Sequence, residues 1–282
     1  MFKAVFRKVK VRFFEISDRE IFMAWLGVLI FLIFVLFNVG VFLLRNKPQV
    51  SYAIAYTIAL YLFVYKIGEY VYYQAIGLHL KFPVEFSALS YFLLAISVVF
   101  RIKKMDQFGA FAGMLAGLMY SVSFWISPMS FVNSMDTMFL FVMAILNHHL
   151  LYFAGALLLF NVRKYNFKDC WIMLLGVGAM VGYSWIIYLF TPYASQYGKP
   201  TIIQISDGSI LNWLGLQSVP TWGYVLYLVL AVILLLGLLA GFYWANSLEV
   251  KRRIKKGVLE EYFPEIWIDT YRIKQEKAVD PE

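Results

Sequence analysis

Residues 137–160 read TMFLFVMAILNHHLLYFAGALLLF, and this stretch decides the fold. It contains no Asp, Glu, Lys or Arg. About 20 apolar residues in a helix cross the ~30 Å hydrocarbon core of a bilayer, so the stretch predicts a transmembrane helix. His148 and His149 stand near its middle. Because an ionisable side chain is costly in hydrocarbon, the histidine pair is predicted to carry function.

Further apolar runs of similar length fill most of the 282-residue chain. Hydrophobic residues make up 62% of the sequence and charged residues only 15%, whereas about a quarter of a soluble domain is charged. The short alternating segments of a membrane β-barrel do not occur. The sequence therefore predicts an all-α, polytopic membrane helical bundle. Seven transmembrane helices are expected, at about 22–44, 51–67, 84–100, 108–127, 137–160, 170–190 and 222–245.

The charged residues divide the chain into three parts. A basic amphipathic segment is predicted at 1–21, a transmembrane domain at 22–246 and a charged tail at 247–282. The net charge of +8 comes from the N-terminus and the short loops. This placement favours membrane phospholipids as partners and argues against nucleic acid.

The basic loops also predict an orientation. With seven spans, the loops around Lys103 and Lys164 and the run Lys251–Lys256 all fall on one side of the membrane. The positive-inside rule assigns that side, and the C-terminus, to the cytoplasm of a bacterial plasma membrane. The basic N-terminus would then lie outside. An additional half-span near 68–82, or an N-terminal helix lying on the membrane surface, would resolve this conflict.

No cofactor or metal is predicted. The single cysteine, Cys170, excludes an internal disulfide and a cysteine metal cluster. The chain also lacks a phosphate-binding glycine loop, an HExxH motif and an Asp-rich metal motif.

The two histidines point in different directions, since neighbouring helical residues diverge by about 100°. The helical row through His148 includes Ala144, Tyr152 and Gly155, and its small residues indicate a face packed against other helices. His148 is therefore favoured as the functional imidazole, and His149 remains an alternative. The other interpretation is a core imidazole hydrogen-bonded to a neighbouring tyrosine, serine or carbonyl. Asn147 and Tyr152 are predicted to line the same pocket.

Ser87 and Glu85 open the third predicted span, just after Pro83. Ser87 either bonds to a carbonyl one turn earlier or is a nucleophile activated by an imidazole. Glu85 points away from Ser87 on an ideal helix. It is predicted to bond Lys81, Lys66 or an interfacial tyrosine.

Glu69 and His79 lie between the second and third predicted spans. Glu69 is predicted either to reach the headgroup level or to line a polar pocket. His79 is predicted to be exposed.

The GxxxG motifs Gly113–Gly117, whose row Gly109 extends, and Gly178–Gly182 lie within predicted spans. Small residues at this spacing allow helices to approach closely, so both motifs predict helix packing.

Several motifs occur in an order that resembles a known family. They are Pro83–Ser87 at the start of a span, Ser127-Pro128 at the end of the next, the mid-span histidines, and Leu214-Gly215 with Pro220–Tyr224 before the last span. Over roughly residues 50–245 the chain resembles the bacterial YwaF-like integral membrane family, which is similar to a eukaryotic transmembrane phospholipid acyltransferase.

The resemblance implies a function and two site residues. In the acyltransferase a membrane cysteine and histidine act as acyl-transfer nucleophile and base. Here the histidine corresponds to His148 or His149, and serine, Ser87, stands at the cysteine position. The prediction is a lipid-modifying membrane protein that performs acyl transfer on phospholipid. The alternatives are a transporter or lipid-binding protein with Glu69, Glu85 and the histidines in a polar pocket, or a structural subunit of a membrane complex.

Overall fold

The computed structural model describes residues 16–102, 104–126, 138–162, 164–214 and 220–257. This part of the chain is all-helical, which confirms the predicted fold class. Most of the predicted basic segment, the Ser127-Pro128 motif, Gly215 and the tail beyond 257 lie outside the described residues. The helices are α1 Ile16–Leu44, α2 Pro48–Ala75, α3 Phe86–Val99, α4 Met105–Ile126, α5 Met138–Leu157, α6 Cys170–Phe190, α7 Tyr193–Tyr197, α8 Thr201–Ser206 and α9 Thr221–Lys255.

Six of the described helices are long and apolar enough to cross a membrane. Five of the predicted spans correspond to α1, α4, α5, α6 and α9. The second is longer than predicted, because α2 continues from 67 to Ala75 and takes up part of the proposed half-span. α9 likewise runs eight residues past the predicted start of the tail.

The third predicted span is too long. α3 has only 14 residues, about 21 Å of helix. Gly77 follows α2 with a φ of +83°, a conformation that glycine adopts without strain. Glu85 is still extended and caps α3. Residues 76–85 therefore form an irregular connection, and α3 starts only at Phe86.

The basic loops meet at one end of the bundle, here called the basic end. Lys104 bonds Asp169 at 3.0 Å, and Arg252 Nη2 donates to Asn46 Oδ1 at 3.1 Å. Successive long helices therefore alternate in direction, with the α1–α2, α3–α4 and α5–α6 connections and the end of α9 together. This arrangement matches the grouping of basic loops on which the predicted orientation depends.

The other end, here called the opposite end, is closed by two irregular connections that pack together. Ser184 Oγ of α6 donates to Val84 O at 2.8 Å, about 9 Å inside the end of its helix. Tyr227 Oη of α9 donates to Ile205 O at 2.8 Å. The start of α3 therefore lies deeper in the bundle than the ends of its neighbours.

α4 and α5 form the closest helix pair in the core. A Cβ on Gly117 would lie 2.5 Å from Tyr152 Cβ and would also contact His148 O. Gly155, facing it from α5, leaves a Cβ only 2.6 Å from Ala110 O. The first GxxxG motif thus packs helices as predicted. The second does not, because a Cβ on Gly178 or Gly182 would have no described atom within 4 Å.

Candidate functional site in a polar cluster between four helices

Polar and aromatic side chains from α2, α3, α4 and α5 converge inside the bundle. They lie roughly 8–21 Å from the opposite end, counted along each helix at 1.5 Å per residue. Most of the surrounding surface is apolar, so each polar group here requires a local partner. The group, here called the polar cluster, consists of Tyr61, Tyr65, Lys66, Glu69, Tyr91, Tyr120, Asn147 and His148.

Lys66 and Glu69 form an ion pair one turn apart on α2. The Lys66 Nζ to Glu69 Oε2 distance is 2.5 Å, and Tyr73 Oη donates to Oε1 at 2.8 Å. The Lys66 ammonium also lies 4.7 Å from the Tyr91 ring centroid and 5.8 Å from that of Tyr65. Aromatic faces attract a cation, so the ammonium is held on several sides. Glu69 is therefore paired within the protein and lines the polar cluster.

The His148 imidazole has a defined tautomer. Its Nδ1 lies 2.7 Å from Ala144 O. A carbonyl only accepts, so Nδ1 must donate the hydrogen, and Nε2 of the neutral ring then carries a free lone pair. Nε2 has no hydrogen-bond partner in the described part of the chain. The lone pair can accept a proton or a hydrogen bond from a substrate.

Two tyrosines hold the His148 ring. Tyr120 stacks on it with centroids 3.8 Å apart and an interplanar angle of 13°, and Tyr91 meets it edge-on at 5.5 Å. Lys66 is close enough for its charge to act on the imidazole. The prediction that His148 faces other helices is confirmed.

Asn147 connects the polar cluster to the outer face of α2. It is 2% exposed, and its Oδ1 accepts from Tyr61 Oη at 3.3 Å. Tyr61 is 38% exposed, so this tyrosine joins the lipid-facing surface to the interior. Asn147 thus belongs to the polar cluster, and its role as a pocket residue stays a prediction.

Among the described residues, the Tyr91 hydroxyl has no hydrogen-bond partner, although it is buried. Tyr91 is 1% exposed. An unpaired buried hydroxyl costs about 1–3 kcal/mol. The polar cluster thus presents one free acceptor, His148 Nε2, and one free donor, Tyr91 Oη.

His149 belongs to a different environment. It is fully buried, with Nδ1 2.7 Å from Ile145 O and Nε2 3.4 Å from Ser121 Oγ. Since Nδ1 donates to Ile145 O, Nε2 accepts the Ser121 hydroxyl hydrogen, for which Gly117 O, 3.0 Å from Oγ, is the competing acceptor. His149 is therefore the more deeply buried of the two histidines, and its contacts match the alternative of a satisfied core imidazole.

Ser87 lies one helical turn before Tyr91, in the first turn of α3. It is half-buried and forms no hydrogen bond with either histidine. The bond to a carbonyl one turn earlier belongs instead to Ser90, whose Oγ donates to Phe86 O at 2.7 Å. The role of Ser87 as a nucleophile stays a prediction.

Glu85 lies outside the polar cluster, and the predicted partners were wrong. Both carboxylate oxygens accept from Thr201 N at 3.1 Å, at the start of α8. Burial raises the pKa of Glu85, and the hydrogen bonds from Thr201 partly oppose the rise. The predicted partners were wrong because the connection before α9 folds back onto the start of α3. No local sequence pattern indicates this tertiary contact. Burial, with the Glu85 charge, also raises the pKa of the neighbouring Tyr193 to about 12.

Tyr152 and His79 also lie outside the polar cluster. Tyr152 Oη donates to Asn38 Oδ1 at 2.8 Å, toward α1. Tyr152 was predicted to share a pocket with Asn147. It lies apart from the polar cluster, because it projects from α5 about one turn nearer the basic end than His148 does. His79 is exposed, as predicted, and its Nδ1 lies 3.1 Å from Gln74 Oε1.

Sequence reasoning missed most of the aromatic part of the polar cluster. Lys66 was considered only as a partner for Glu85, although its spacing from Glu69 on an apolar helix could have indicated an ion pair. Tyr91 stands one turn after Ser87 on the same predicted face. Tyr61, Tyr65 and Tyr120 gave no signal, because tyrosines are abundant throughout this chain.

Among the described residues, no three His, Cys, Asp or Glu side chains come together in a way that could hold a metal ion. Comparison of the chain with protein-family models, with curated proteins and with solved structures finds no match.

Proposed function

We propose that the chain is a membrane-embedded lipid-modifying enzyme that transfers acyl groups between phospholipids, with His148 as the general base. One observation carries this proposal: the imidazole is fixed by Ala144 and Tyr120 with its Nε2 lone pair free, inside a membrane-spanning bundle. A general base needs such an available lone pair and a fixed position.

The reaction balances with groups that the polar cluster supplies. His148 Nε2 takes the proton from an acceptor hydroxyl, whose oxygen attacks the donor ester carbonyl. The new ester C–O bond forms as the old one breaks, and the imidazolium returns the proton to the leaving oxygen. Tyr91 Oη, a free donor, is suited to hydrogen-bond the carbonyl oxygen as negative charge develops there.

Ser87 gives the same chemistry a two-step form. In the family that the sequence resembles, the residue at this position is a cysteine that holds the acyl group. After moving closer to His148, Ser87 would give its proton to Nε2 and attack the donor ester, and the lysophospholipid would leave with that proton. The hydroxyl of the second lipid, deprotonated by the same Nε2, would then attack the acyl-serine, and Ser87 Oγ would leave and recover a proton. This form predicts an acylated Ser87 peptide, whereas direct transfer predicts none.

The test uses the purified chain in liposomes that contain a phospholipid with a labelled acyl chain and an unlabelled lysophospholipid. Label should appear in the product phospholipid, and Ser87→Ala should abolish any acyl-peptide found by mass spectrometry. If a broad panel of donors gives no transfer with the folded chain, the proposal is wrong.

A transport function is the second candidate, favoured by the Lys66–Glu69 ion pair. Paired charges within a span occur in substrate and proton pathways. The same liposomes distinguish the two functions, because a transporter would move a trapped labelled substrate across the membrane without changing its covalent structure.

A further inference from the structure

α9 contacts the bundle mainly near its C-terminal end, where its polar side chains bind a π-helical turn at Leu158–Val162. Asn246 Nδ2 donates to Leu159 O at 2.6 Å, and its Oδ1 accepts from Tyr165 N at 2.8 Å. Arg253 Nη1 donates to Asn161 O. A π turn disrupts the regular helix pairing, so its carbonyls are available to such donors. One N–H of Arg253 thus has a structural role.

The rest of the Arg253 guanidinium has no partner in the part of the chain that the structure describes. The residue is 0% exposed, and among those residues its Nε and Nη2 are buried without a hydrogen bond. Asn161 Oδ1 and Arg252 Nη1 are also buried and unpaired. Glu249, one turn before Arg253 on α9, is hydrogen-bonded by Arg252, whose Nε donates to its two carboxylate oxygens at 2.8 and 3.0 Å. A buried guanidinium without a bonded anion is unfavourable, so these donors indicate a missing negative group.

The surroundings favour an anion and place it at the membrane surface. Lys251, Lys255 and Lys256 continue the positive charge along the end of α9. Leu248 and Ile254 are exposed apolar side chains on the same helix. Basic pockets between transmembrane helices bind anionic lipid headgroups, with the acyl chains along the neighbouring apolar surface.

We propose that Arg252, Arg253 and Asn161 form a binding site for the phosphate of an anionic glycerophospholipid, separate from the polar cluster. The planar guanidinium fork matches two phosphate oxygens, and Asn161 Oδ1 accepts from a headgroup hydroxyl. Arg252, whose side chain is 24% exposed, opens the site by turning away from Glu249. The lipid fixes the end of α9 against the π turn.

The experiment measures the Tm of the full chain in phosphatidylcholine nanodiscs, with and without phosphatidylglycerol, and separately with inorganic phosphate. Phosphatidylglycerol should raise the Tm by roughly 5 °C. Arg253→Gln should lose this rise. The matched control is Lys255→Gln, which removes the same charge from an exposed position on the same helix and should keep the rise. If Arg253→Gln does not fold, Arg252→Gln provides the same comparison.

Other results of the Tm measurement distinguish the phospholipid from other occupants of the site. An equal rise with inorganic phosphate would support the phosphate site but assign it to the free ion. Equal losses in Arg253→Gln and Lys255→Gln, or no rise in the parent chain, would overturn the proposal. If Glu260→Gln/Glu261→Gln lowers the Tm of the parent but not of Arg253→Gln, carboxylates of the tail occupy the site and the lipid assignment is wrong.

Discussion

At the scale of residues, the two adjacent histidines have different environments although they share one helix. His148 keeps a free Nε2 next to Tyr91 and Lys66, whereas His149 lies fully buried beside Ser121. The 100° step between neighbouring helical positions directs them to different partners. The sequence favoured His148 only through the small residues on its row. What surrounds it depends on α3 and α4, which contribute Tyr91 and Tyr120.

Glu69→Gln tests whether the Lys66–Glu69 pair holds the polar cluster together. The substitution leaves an ammonium without its counter-ion in a mostly buried site, which is strongly destabilising. The Tm of the purified chain should fall by about 5 °C or more. Lys66→Gln/Glu69→Gln removes both charges and should recover much of the loss. Additive losses in the double variant would contradict the pairing.

Glu85 gives a prediction for pH dependence. Its pKa is raised by burial above an ordinary value of 4.5, so the folded chain binds the proton more tightly than the unfolded chain. The stability contributed by this carboxyl is therefore full below the unfolded pKa and is lost as pH rises through the folded pKa. Tyr193, with a pKa near 12, stays neutral across this range.

The measurement is the Tm of the parent chain and of Glu85→Gln between pH 5 and pH 8. The parent should gain stability on acidification relative to Glu85→Gln, which retains an acceptor for Thr201 N but does not titrate. Identical pH profiles would show that the carboxyl is not perturbed.

At the scale of helices, the sequence predicted well which helices exist and in what order they occur. It predicted less well the residues at which they begin and end. Long apolar runs such as 137–160 identify a span directly, since only a helix satisfies its own backbone in lipid. The length of the third span was overestimated because Val84 and Glu85 adjoin the apolar run in the sequence. In the structure both residues accept hydrogen bonds from other parts of the chain, Val84 from Ser184 and Glu85 from Thr201. Tertiary contacts of this kind leave no periodic pattern in one sequence.

The two GxxxG motifs provide a matched pair of variants. Gly117→Ala places a Cβ against His148 O and against the backbone and Cβ of Tyr152. These atoms belong to the backbone region of α5, so the clash can be relieved only by moving the helix. The substitution should lower the Tm by at least about 5 °C and reduce acyl transfer, since α5 carries His148. Gly178→Ala meets no described atom and should leave both unchanged, or raise the Tm slightly through helix propensity. Equal effects would contradict the α4–α5 packing.

At the scale of the whole molecule, the loops and helix ends divide into a basic end and an opposite end. The polar cluster lies nearer the opposite end, whereas Arg253 lies at the basic end. If the basic end is cytoplasmic, as the positive-inside rule predicts, the polar cluster faces the outer half of the bilayer.

Cysteine labelling tests this orientation. Cys170→Ser removes the single native thiol, and Ala278→Cys adds one in the tail. In intact cells a membrane-impermeant thiol reagent should label Ala278→Cys weakly, and permeabilisation should restore labelling. Ready labelling before permeabilisation would reverse the orientation and place the polar cluster in the cytoplasmic half.

The most direct test of the central claim compares acyl transfer by His148→Gln, His149→Gln and His79→Gln in the same liposomes, each normalised to folded protein. Loss of the general base should lower turnover by at least about 100-fold in His148→Gln. His79→Gln should match the parent, and His149→Gln should change stability more than turnover per folded molecule. Full transfer by folded His148→Gln would contradict the account.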